Sequence, residues 1–343
     1  MLNLPIVDDR LDIRLAGEWT KRQGYSFNET TGQRTDGRDL WSGRATIAFK
    51  PTANLQTYLV WEHFQENDDR LRSSKQLCKR DPGPSSVIGV PREDVPAQFS
   101  TGSHPGDLLS QGCLPVSLYS DEAFQTVHGR SLSYYQALEA GGGLLSAIGF
   151  DPYLSGVQSS NLRVIESALK PVYRAKSDLL QFNADYAVTP TLTFTSQTGF
   201  NNDFLYATED YNRFDSAPGL FGYKARSPVL TPLGYGIRRE SMISPDGYFC
   251  DPQLGCSNKL VAQDLVKQHS WQLNQEFRLA SHFAGPFNFS AGANYMHYET
   301  AENYYVFINT ITAFVVKPLF SLDSNNWIDI PYVPGVSDNH ECL

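Results

Sequence analysis

The feature that most constrains this chain is a hydrophobic alternation of period two. It recurs in segments about ten residues long, and the links between them are alternately short and long. Leu11, Ile13, Leu15, Gly17 and Trp19 share one face of the first segment, against Asp12, Arg14, Ala16, Glu18 and Thr20. The next sets Trp41, Gly43, Ala45, Ile47 and Phe49 against Ser42, Arg44, Thr46, Ala48 and Lys50. The pattern returns over residues 55–62, 179–188, 192–201, 271–279 and 289–298, giving seven expected strands. Lys50 to Asn54, Val188 to Thr191 and His282 to Pro286 read as short turns. Residues 21–39, about 66–173 and about 208–267 are long links.

The expected fold class is therefore all-β and antiparallel. A long structureless link is uncommon inside a compact soluble domain. Short turns at one rim and long loops at the other are the habit of a transmembrane β-barrel, whose strands of about 9–11 residues cross the hydrocarbon at a tilt. The polar face carries Arg44, Glu62, Asp185, Gln197, Gln272, Asn274, Glu276 and Arg278, which suits a wet lumen or a solvated sandwich face. Trp19, Trp41, Trp61, Trp271, Tyr186 and Tyr295 fall near strand ends, as interfacial aromatics do. Alternation alone does not separate barrel from sandwich, because apolar-out and apolar-in give the same pattern.

Other classes recede. Acidic residues outnumber basic ones 37 to 28, so a nucleic-acid partner is not expected. No stretch of about 18 apolar residues suggests a transmembrane helix. The longest apolar run, Tyr304 to Val316, is interrupted by Asn309, Thr310 and Thr312 and is rich in β-formers. Met1-Leu2-Asn3-Leu4-Pro5 lacks a basic leader, so no signal peptide is expected here. No G-x-S-x-G elbow, P-loop or G-x-G-x-x-G after a strand is present, so neither an enzyme nor a cofactor is expected. The seven histidines are scattered and no cysteines form a C-x-x-C pair, so no metal site is expected. Glu62, Glu66, Asp68 and Asp69 form an acidic cluster, read as a solvated strand end in preference to a calcium site.

Of the five cysteines, Cys78 and Cys113 bracket a Pro/Gly/Ser-rich tract in the longest link. Cys250 and Cys256 enclose a turn-rich run in another. Clustering in links predicts two disulfides, Cys78–Cys113 and Cys250–Cys256, and an oxidising compartment. Cys342 is left over. Link 66–173 is read as a large extracellular loop with short helices, one around Tyr134, Leu138 and Leu145 with Gly141-Gly142-Gly143, and one around Leu162, Ile165 and Leu169.

Several segments resemble one family. Arg14 to Tyr25, Asp39 to Thr52 (a strand ending in a Pro-Thr turn), Thr195 to Phe200, and Gln275-Glu-Phe-Arg-Leu-Ala-Ser281 are similar to strands of TonB-dependent outer-membrane receptors, in the same order. The resemblance covers nearly all of residues 1–315. It implies a barrel of about 22 strands with a plugged lumen, surrounded by outer-membrane lipid. It also implies energised uptake, through the TonB-ExbB-ExbD system, of a scarce bulky nutrient such as siderophore-iron, cobalamin or an oligosaccharide. No plug, TonB box or terminal aromatic strand is matched. The expectation is an internal barrel piece, from a truncated gene or partial gene prediction, with plug and remaining strands absent. Ligand contacts are expected from Arg44, Glu62, Asp185, Gln197, Glu276 and Arg278 on the lumen side, and from loop tyrosines 134, 135, 206, 211 and 235. The alternative is a secreted β-rich protein that binds or cleaves glycans.

Overall fold

A computed structural model describes residues 1–91, 109–129, 151–154, 156–222, 225–231, 234–241 and 247–316. The side chains of 222, 225–231, 234–241 and 314–316 are not described. The first helix expected in link 66–173, Tyr134, Tyr135, the side chain of Tyr235, and Cys342 lie outside this set.

The chain is nearly all β. Its frame is one antiparallel sheet of eight strands in sequence order. They are β1 (Leu2–Val7), β2 (Leu11–Arg22), β3 (Arg38–Thr52), β4 (Leu55–Asp68), β5 (Val172–Thr189), β6 (Leu192–Asp210), β7 (Ala262–Ser281) and β8 (Ser290–Ile308). Each strand pairs with its sequence neighbour, so the sheet is an up-and-down meander. The turns β1–β2, β3–β4, β5–β6 and β7–β8 are short and share one rim. The links β2–β3, β4–β5 and β6–β7 are long and share the other.

Several details depart from expectation. The sheet gains β1, whose Pro5 and six-residue length hide it in the sequence. Its register shifts between Pro5 and Val7, and it sits at the sheet edge, where a missing N–H is tolerated. The strands also run to 18–20 residues in β5–β8. They continue as ribbons beyond the alternating segments, because the neighbouring ribbon supplies their backbone partners. Tyr304 to Val316 divides: it is strand to Ile308, then a helix, α1 (Asn309–Val316). Buried Asn309 fixes that switch, donating from Nδ2 to Lys259 O at 2.9 Å and accepting from Val261 N at 3.1 Å.

The second expected helix, around Leu162, Ile165 and Leu169, does not form. Val164–Ile165 instead pairs in parallel with Ser26–Asn28, which is one arm of a small hairpin closed by Gln33–Thr35. A helical spacing in a short segment loses to an available backbone partner.

The long links pack into a layer with its own core of Cys78, Val127, Tyr153 and Phe214, with Cys113 beside it. Both expected disulfides are present, Cys78–Cys113 and Cys250–Cys256. Three of these cysteines fall in two- or three-residue strands, all outside the main sheet. Arg80 pairs with buried Asp151, whose other oxygen accepts from Tyr153 N at 2.9 Å and Gly129 N at 3.2 Å. A buried carboxylate held by a guanidinium and two backbone donors is satisfied at little net cost.

Candidate functional site: two unlike faces of one sheet

Register assigns every strand residue to a face, since directly opposed partners project to the same side. One face carries Leu15, Trp19, Trp41, Ile47, Phe49, Trp61, Leu180, Phe182, Tyr186, Phe200 and Phe277. All are exposed, from 37% at Ile47 to 68% at Trp19. The opposite face carries buried Val60, Glu66, Asn183, Thr195 and Ser270. The greasy side of the sheet is the open one, and the polar side carries the buried residues named here, the inverse of a water-soluble sandwich. A contiguous apolar surface of this extent marks a contact with lipid or another apolar partner.

The apolar belt has a sharp upper edge. On β2 it runs from Leu11 to Trp19, about 27 Å along the strand, and the next residue on that face is Lys21. Lys21 Nζ meets Asp39 Oδ2 at 2.7 Å, and Trp19 Nε1 donates to Asp39 Oδ1 at 3.4 Å. Above Trp61 comes His63, bonded to Asp178 at 2.7 Å and 4.8 Å from the Trp41 ring centroid. Trp271 lies beside His297 at 4.7 Å. Four of the five tryptophans thus stand where the face turns from apolar to polar. At the short-turn rim stand Phe49, Tyr186, Phe283 and Phe289, all exposed.

All six residues expected at the lumen share the polar face. Arg44 and Glu62 are register partners with charged groups 4.0 Å apart. Both are about half exposed, so the pair contributes less than about 1 kcal/mol to stability. Gln197 opposes Glu276, and Thr195 opposes both Asp185 and Arg278. Thr195 Oγ1 donates to Asp185 at 2.6 Å. Asn183 and Tyr58, which alternation places on the same face but which are not among the six, complete the row Tyr58–Asn183–Gln197–Glu276–Asn294. Asn183 Nδ2 is buried without a hydrogen-bond partner among the described residues. Near the short-turn rim a groove of about 630 Å³ is lined by Asn3, Asp12, Arg14, Thr46 and Tyr58 among others. Arg14 Nε donates to Asn3 Oδ1 there at 2.7 Å.

Of the expected loop tyrosines, Tyr211 is in a link and exposed. Tyr206 is not a loop residue. It lies on β6, on the belt's side of the sheet but beyond its edge, under the Arg174 guanidinium at 5.7 Å. The acidic cluster also differs from a solvated strand end. Glu66 is buried between Arg38 (3.9 Å) and Arg70 (3.4 Å), and Asp69 accepts from Gly37 N at 2.7 Å. Among the described residues no group of three or more His, Cys, Asp or Glu side chains is placed to hold a metal ion.

Charge collects where links meet strand ends. Arg72 bridges Asp264 (2.5 Å) and Glu209 (3.8 Å). A cavity of about 20 Å³, room for roughly one water, is lined by Ser73, Lys75, Glu166, Glu209, Asp210 and Arg213 among others. Burial pushes the carboxyls of Glu66, Glu166 and Glu209 up. It pushes Asp210 up to about 6, against four donated hydrogen bonds that favour its ionised form. Burial pushes Lys75 down. A carboxyl raised in the fold binds its proton more tightly there than in the open chain. Its contribution is full below the ordinary value of 3.8 and is lost as pH rises through about 6. Hydrogen-exchange protection of residues 165–170 and 210–216, corrected for intrinsic rates, is expected to be higher at pH 5 than at pH 7. A flat or inverted profile would refute the assignment.

No family model and no curated protein matches the chain. Among solved structures it is similar to the ferric yersiniabactin uptake receptor FyuA from Yersinia pestis, at 8% identity and a TM-score of 0.28. The match covers 89% of this chain and 40% of that one. Likeness at this level carries no weight on its own, so function rests on the two faces described above.

Proposed function

We propose that the chain is part of the wall of an outer-membrane β-barrel receptor of the TonB-dependent kind, serving energised uptake of a scarce bulky nutrient. Siderophore-iron, cobalamin and an oligosaccharide are the ligand classes in view, and the TonB-ExbB-ExbD system is the energising partner. The observation that carries this is the exposed apolar belt. Its length of about 27 Å along β2 spans roughly 19–22 Å of height at the tilt of about 35–45° usual for barrel strands, most of the apolar band of about 25 Å on known barrels, and its tryptophan edge matches their aromatic girdles. Lipid satisfies such a surface and water does not.

In this reading the short turns lie on the periplasmic side and the long links outside the cell. Arg44, Glu62, Asp185, Gln197, Glu276 and Arg278 face the lumen and offer hydrogen bonds and charge to the ligand. Among the described residues the outer edges of β1 and β8 are unpaired, and in the membrane they need partner strands, because hydrocarbon leaves no backbone group a water partner. A secreted glycan-acting protein would instead need the tryptophans sealed between two layers.

The test is cell fractionation with gel migration before and after heating. Recovery in the outer membrane, with a heat-modifiable band, is the expected result. A soluble monomer with a cooperative melt in plain buffer would overturn the proposal.

A further inference from the structure

The three long links have a property that does not depend on the transport reading. The described residues of link one (23–37), link two (69–171) and link three (211–261) are joined pairwise by buried and part-buried polar contacts, links two and three by way of Asp210 at the end of β6. Asn28 of link one is fully buried. Its Nδ2 donates to Ser167 O at 2.9 Å and its Oδ1 accepts from Ser167 N at 3.1 Å, in link two. Asp210, at the end of β6, accepts from Ser167 Oγ (3.1 Å) and Ala168 N (2.8 Å) of link two. It also accepts from Asn212 N (3.0 Å) and Arg213 N (3.2 Å) of link three. Asp215 of link three accepts from Thr30 Oγ1 of link one at 3.0 Å and pairs with Lys259 at 2.5 Å. Phe214 of link three lies in the core built by Cys78, Val127 and Tyr153 of link two.

These contacts close a triangle: one to two, two to three, three to one. Lifting the described residues of any one link breaks polar contacts to the other two, and each group then left in a dry site is costly. Independent loops would show contacts mostly within themselves. Here the joining bonds span 139, 43 and 185 residues.

We infer that the three links form one cooperative body, docked on and released from the strand ends in a single step, with Asn28, Asp210 and Asp215 as its keystones. The described residues of the three links then open together, not as the sum of three separate loop motions.

The test is native-state hydrogen exchange on the whole chain in detergent micelles, across low denaturant concentrations. The slow amides of residues 26–28, 164–168 and 211–216 are expected to merge on one opening isotherm. Three separate isotherms would overturn the inference. Asn28→Ala extends the test by removing two inter-link bonds. It is expected to raise opening about tenfold or more, by the same factor in link three as in links one and two. An increase confined to links one and two would also overturn it. Should that variant not fold, the unmodified protein's isotherms decide the question.

Discussion

Leu15→Arg is expected to destabilise the lipid-inserted protein by about 2–4 kcal/mol, the cost of a charge near the middle of a lipid-facing strand surface. Leu15 lies midway between Leu11 and Trp19 on β2, on the apolar face and 43% exposed. In water such an exposed site would accept arginine with little change, because no buried contact is lost and the guanidinium is hydrated. The sign of the effect therefore reports the surrounding medium. Arg14→Leu, one residue along, replaces a charge with an apolar group on the polar face and is the matched control. Denaturant titrations of both variants in lipid vesicles make the comparison. Equal stability of Leu15→Arg and the parent in lipid would mean that this face does not meet hydrocarbon.

Replacing both Cys78 and Cys113 with serine is expected to cost about 4 kcal/mol of link-layer stability, from closure of a loop of sequence separation 35. The same change at Cys250 and Cys256, separated by 6 residues, is expected to cost about 2 kcal/mol. The first pair also loses packing, because Cys78 is fully buried in the core with Val127, Tyr153 and Phe214. The second closes a small hairpin in which Cys250 pairs directly with Cys256. Denaturant unfolding of both double variants, followed by protection of the links, reads the difference. A larger loss from the 250–256 pair would show that the core around Cys78 is not what holds the layer together.

The strands were legible because their signal is local. Alternation over Leu11 to Thr20 or Leu192 to Phe200 needs no knowledge of the partner strand, and register then carries the face assignment across the sheet. The grouping of Arg44, Glu62, Asp185, Gln197, Glu276 and Arg278 followed from the same parity. The disulfides were legible because cysteines confined to links have few partners to choose from. The layer above the sheet was not legible. Asn28 finds Ser167 and Thr30 finds Asp215 only after the sheet has brought their links together. Leu162, Ile165 and Leu169 have helical spacing, yet Val164–Ile165 is taken by a strand from a link far away in sequence. The charges at the strand ends, among them Arg72, Glu209 and Asp264, gave no signal in advance. Nothing in a sequence marks a carboxylate as buried until the guanidinium that neutralises it is in place.

The sequence by itself determined which residues lie on the greasy side of each ribbon, which lie on the wet side, and which links are long. It left undecided which side looks outward, because period-two alternation is unchanged when inside and outside are exchanged. Only the tertiary structure broke that symmetry. The fold buries Asn183, Thr195 and Glu66, and among the described residues no second layer covers Trp19, Trp61 and Phe182.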